Sequence, residues 1–90
     1  MAKKTILFKV KEYWTTAEVA AFLRELADRL DQNEVVLRRG SEEVVLSVPR
    51  SVVFDLEVEE KAKKGKTKRE LEIEIEWQEG GDAAAELTLG

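Results

Sequence analysis

Ninety residues, 43% apolar and 38% charged, suffice for one globular domain with a heavily charged exterior. With no cysteine and no histidine, the chain has no disulfide and no thiolate zinc site; it also lacks the commonest general base and the commonest transition-metal ligand. The net charge of −4 is unevenly spread: Lys61, Lys63, Lys64, Lys66, Lys68 and Arg69 put +6 on residues 61–69, so the other positions carry −10.

The first segment, residues 6–11, alternates Ile6, Phe8 and Val10 against Leu7, Lys9 and Lys11, the period of a half-buried strand. Two lysines followed by so short an apolar stretch make a strand beginning rather than a secretory signal, and no apolar run approaches the ~18 residues of a membrane span. No membrane is expected, and the expected compartment is the cytoplasm.

A helix follows. Thr15 is its expected N-cap, with Glu18 completing a T-x-x-E capping box and Trp14 and Val19 at the spacing of a hydrophobic staple. Val19, Phe22 or Leu23, Leu26, Ala27 and Leu30 form one apolar stripe, and 31–33 ends the element.

Four strands are expected next. Residues 34–39 and 42–48 flank Gly40-Ser41; a two-residue turn there sets Val35 opposite Leu46 and Leu37 opposite Val44. On the other face it sets Arg38 opposite Glu43. A connection over 49–51 leads to a strand over 52–60 with Val52, Phe54, Leu56 and Val58 facing inward. The last strand, 70–78, alternates Leu71, Ile73, Ile75 and Trp77 with Glu70, Glu72, Glu74 and Glu76, and is the expected centre of the core. Residues 1–79 thus read as one α+β domain, β-α-β-β-β-β, with a five-stranded, mostly antiparallel sheet and one amphipathic helix on one face. Residues 80–90 read as a flexible tail with a helical turn over 83–87.

A turn at Lys64-Gly65 places Glu57 beside Glu72, Asp55 beside Glu74 and Glu59 beside Glu70, crowding carboxylates on one face. Lys9 and Lys11 are the handiest counter-charges, which favours the sheet order 1-5-4-3-2, with the first strand along the free edge of the last. Hard cations take oxygen ligands. Strand carboxylates spaced i,i+2 project in parallel, however, and seldom converge, so no metal, cofactor or catalytic residue is expected. Paired carboxylates for glycoside chemistry need a cleft that an open strand face does not supply.

The basic loop offers phosphate contacts but interleaves no aromatic side chain with its lysines, so a stacking platform for single strands is absent. Gly65-Lys66-Thr67 matches only the end of a P-loop, because Glu60 stands where the first glycine belongs. Wrapping of a nucleic-acid backbone is disfavoured by the acidic body. The expected function is non-catalytic: a small interaction or adaptor module acting through Glu57, Glu72 and Glu74 on the strand face and through Lys61, Lys63, Lys64, Lys66, Lys68 and Arg69. The expected partner is a protein, weak self-association being one version. The alternative is binding of an anionic ligand or nucleic acid by loop 61–69.

The run Leu71-Glu72-Ile73-Glu74-Ile75-Glu76-Trp77, an amphipathic strand closing on tryptophan, resembles the signature of the amphi-Trp domain family of small prokaryotic proteins. The helix from Thr16 to Leu30, the hairpin over 35–48 and the stretch over 49–57 are similar to that family's order, so the resemblance covers about residues 5–78. It implies the α+β architecture and brings no activity, cofactor or catalytic residue with it. The density of lysines in the last turn is a feature of this chain.

Overall fold

The computed structural model describes residues 3–79. Their elements are α1 (Thr16–Asp31), β1 (Glu34–Arg39), β2 (Glu42–Ser47), β3 (Val53–Lys63) and β4 (Lys66–Glu76). The fold is α+β, with one helix and two antiparallel two-stranded sheets, β1–β2 and β3–β4. The described backbone falls into two compact units, divided between Arg50 and Ser51. The tail and helical turn expected over 80–90 lie outside the described residues.

In the first unit, α1 starts as its sequence dictates. The Thr15 hydroxyl accepts from the Glu18 amide at 3.1 Å, and the Glu18 carboxylate accepts from the Thr15 amide at 2.8 Å, a complete capping box. At the other end, Asn33 takes a left-handed φ of 59°, and its amide donates to the Leu30 carbonyl at 2.9 Å. That bond satisfies one of the carbonyls a helix end leaves unpaired. The chain then enters β1 at once. Gly40, at φ 61°, opens the two-residue turn to β2; a positive φ at the first turn position is the reason for glycine there. Val35 pairs with Leu46, Leu37 with Val44 and Arg38 with Glu43, the expected register. Helix α1 packs on β1. Among the described residues Val35 and Val48 are buried, with Phe8, Ala20, Leu26, Leu30, Leu37, Val44 and Leu46 half-buried.

In the second unit, β3 and β4 pair over their full length around Lys64-Gly65. Both turn residues have positive φ, 43° and 78°, the arrangement of a type I′ turn whose twist matches the strands. Phe54 faces Ile75, Leu56 faces Ile73 and Val58 faces Leu71, all on one side of the hairpin.

Two expectations are corrected. The five-stranded sheet in β-α-β-β-β-β order is not formed: residues 6–11 carry no strand, and each hairpin is a two-stranded sheet. Alternation specifies two faces of a segment but not its partner. Both ladders that do form close over two-residue turns, whereas pairing 6–11 with the last strand requires closing a loop of roughly sixty residues at greater entropic cost. The last strand is also not the centre of the core. Leu71 is 65% exposed and Ile73 48%, against 4% for Val35. The inward residues of β4 do share a face, but that face is open; only Ile75 and the following Trp77 are half-buried.

Candidate functional site

The β3–β4 hairpin gathers every residue singled out for interaction. On its polar face Asp55 stands opposite Glu74, Glu57 opposite Glu72, Glu59 opposite Glu70, Lys61 opposite Lys68 and Lys63 opposite Lys66. The acidic strip and the basic tip are therefore one continuous surface, negative along the shaft and positive at the turn. Arg69 departs from this set. Its neighbour across the ladder is Glu60, to which it donates at 2.9 Å, and that pair sits on the apolar side. Lys68 is held by Glu70 at 3.2 Å. Lys61, Lys63, Lys64 and Lys66 form no ion pair among the described residues.

Crowding of carboxylates appears in their acidity. Glu72 is pushed above its ordinary value, first by partial desolvation and then by repulsion from Glu57, Glu59 and Glu70. Glu70 moves the other way, because the Lys68 ammonium hydrogen-bonds its charged form. One oxygen each from Glu59, Glu70 and Glu72 lies within 4.8 Å of the others. Strand carboxylates do converge here: the cross-strand pair Glu59 and Glu70 meets Glu72, two positions along β4 from Glu70. Chemically the trio presents oxygen donors suited to a hard cation, at the distances that exposed acids on adjacent strands adopt in any case.

The opposite face of the hairpin is apolar and open. Phe54, Leu56, Val58, Leu71 and Ile73 are all exposed. A two-stranded hairpin is marginal in water without something packed on its hydrophobic face.

A second feature, in the first unit, has no counterpart in the sequence reading. A groove of about 810 Å³ runs between the segment before α1, the helix and β1, lined by Phe8, Val10, Trp14, Val19, Phe22 and Leu37 among others. The Trp14 and Phe22 rings meet edge to face, centroids 5.8 Å apart. At its rim the Arg39 guanidinium grips Glu12 with both arms, 3.0 and 2.8 Å, while the Trp14 indole N–H donates to the same carboxylate at 2.6 Å. These bonds, Arg39's first, hold Glu12 down at about 2. Glu12 and Arg39 are 27 positions apart. The only sequence cue to their pairing was an acid and an arginine flanking elements that pack together.

Among the described residues no helix is long and apolar enough to cross a membrane. No curated protein and no solved structure matches the chain. The Amphi-Trp domain model matches residues 1–90, extending the resemblance read from the last strand over the full sequence, and the chain belongs to the Amphi-Trp domain family.

Proposed function

We propose that the chain is a small non-catalytic interaction module that contacts protein partners through the β3–β4 hairpin. The observation that carries this reading is the open apolar face, Phe54, Leu56, Val58, Leu71 and Ile73, backed by a strip of segregated charge. Contiguous apolar surface rimmed by charge is what protein interfaces use, apolar area supplying affinity and charge supplying partner choice. The test is affinity capture from the native lysate with the wild-type chain and two variants, Ile73→Glu and the reversal of Lys63, Lys64 and Lys66 to glutamate. Proteins retained by the wild type and lost with Ile73→Glu support the module. A wild-type eluate indistinguishable from that of an empty matrix overturns it.

The second reading, binding of an anionic ligand or nucleic acid by loop 61–69, is favoured by the four lysines that no described carboxylate holds. It predicts a mobility shift of single-stranded nucleic acid at low salt that the triple lysine reversal abolishes. An unshifted probe ends this reading and leaves the first intact.

A further inference from the structure

We propose that β4 is the contact strand of a symmetric dimer, pairing antiparallel with β4 of a second copy to make a four-stranded sheet. The proposal rests on the hairpin as an interaction surface and names its partner.

Because the β3–β4 sheet has two strands, the outer edge of β4 has no strand beside it among the described residues. It is eleven residues long, a row of backbone donors and acceptors that templates pairing with another chain. Its polar face is sorted by sign: positions 66 and 68 are lysine, and 70, 72, 74 and 76 are glutamate. Parallel pairing in register would set lysine on lysine and glutamate on glutamate. Antiparallel pairing about Leu71 does the reverse. Lys66 then lies opposite the partner's Glu76 and Lys68 opposite the partner's Glu74, and the two-fold axis repeats both contacts. Only Glu70 and the partner's Glu72 remain as a like-charge pair, also repeated. Cross-strand neighbours of opposite charge attract and like charges repel, so the sorted strand selects one direction and register. On the other face Leu71 meets the partner's Leu71, Ile75 meets the partner's Thr67, and Ile73 lies opposite the partner's Arg69, whose guanidinium is held by Glu60 within its own hairpin. The same operation on β3, with Asp55 opposite the partner's Lys63, would likewise set an apolar residue against a charge, Val58 against the partner's Glu60. It would also put Glu59 on the partner's Glu59 at the axis, where β4 puts leucine on leucine; the apolar centre favours β4. The surface is self-complementary, as a two-fold interface requires.

The test is a charge swap in the full-length chain. One variant, Lys66→Glu with Lys68→Glu, makes the strand face wholly acidic; the other, Glu74→Lys with Glu76→Lys, puts lysine at both ends of it, at 66, 68, 74 and 76, around the unchanged Glu70 and Glu72. Across the ladder neither change opposes the hairpin itself, although Lys68→Glu gives up the Lys68–Glu70 pair along the strand. The first replaces the like-charge neighbours Lys66–Lys63 and Lys68–Lys61 with opposite pairs, and the second does so for Glu74–Asp55. Sedimentation equilibrium at low salt should show a wild-type dimer that weakens about tenfold or more on moving to about 0.5 M salt, as screening removes the ladder. Each variant alone should be monomeric, and their equimolar mixture should form a heterodimer. The chain carrying all four changes should recover the homodimer. A wild-type monomer at about 500 µM and low salt overturns the proposal, as does self-association of both two-site variants at wild-type strength. Either result is independent of capture from lysate: a monomer that still retains a lysate protein leaves the interaction module standing without this partner.

Discussion

Asn33 and Val48 are joined by two hydrogen bonds: the Val48 amide donates to the Asn33 carbonyl at 2.9 Å, and the Asn33 side-chain amide donates to the Val48 carbonyl at 3.0 Å. One residue thereby ends α1, starts β1 and fixes the far end of the first hairpin at Val48, itself buried. Its left-handed backbone is tolerable for asparagine and strained for alanine. Asn33→Ala should lose both the conformation and the side-chain bond, about 2 kcal/mol, while Asn33→Gly loses only the bond, about 1 kcal/mol. Denaturant unfolding followed by far-ultraviolet circular dichroism measures both. Equal losses would mean the backbone conformation is unimportant.

Thr15→Ala should cost about 1 kcal/mol, the ordinary worth of a helix N-cap. Glu18→Gln should cost less, because glutamine still reaches the Thr15 amide through its carbonyl oxygen. A thermal melt at 222 nm distinguishes the two. A larger loss for Glu18→Gln would show that charge near the helix start matters more than the reciprocal bond.

The Glu12 carboxyl, held at about 2 against an ordinary 4.5, stabilises the first unit only while ionised. Its contribution is complete above about pH 4.5 and is lost as pH falls from there through about 2, where the folded state protonates. Glu12→Gln should therefore lower stability at neutral pH and remove part of the acid dependence between those limits. Side-chain carboxyl shifts in a carbon-detected titration follow the group directly. A Glu12 midpoint near the ordinary value would mean that Arg39 does not hold it in solution.

Glu72 has the opposite sign. Its folded value is raised, so its ionisation works against the second unit above that value, and the penalty disappears as pH falls below about 4.5, where both states are protonated. Glu72→Gln should stabilise the hairpin at pH 7 and make no difference at about pH 3. Stabilisation that persists at low pH would assign the effect to something other than carboxylate repulsion.

Lys64 adopts φ 43° without being glycine. Asparagine suits the first position of a type I′ turn better, and Lys64→Asn should gain about 1 kcal/mol for the hairpin. Chemical-shift thermometry of Ile73 and Ile75 on denaturant addition reports that gain locally; a lower midpoint would contradict the turn assignment.

What was readable in the chain follows the reach of each interaction. The capping box lies within four residues, and both hairpin registers follow from two-residue turns and alternating side chains, so Arg38 opposite Glu43 and Glu57 opposite Glu72 could be counted out by hand. The candidate surface was legible for the same reason, except that Arg69 falls on the apolar side with Glu60. The partner of residues 6–11, the openness of Leu71 and Ile73, and the grip of Arg39 on Glu12 depend on which distant segments come together. Alternation and spacing carry no information about that.

The placement of the first ladder has a bearing on synthesis. Every backbone pairing from Asn33 to Val48 is available before Val53 has left the ribosome, and neither its turn nor the capping of α1 waits on anything downstream. Hairpins form within roughly ten microseconds, far faster than the chain is extended at roughly 5–20 residues per second. The amino-terminal half can thus be shaped in order of emergence, and the charged hairpin is made afterwards, once the first has already taken its form.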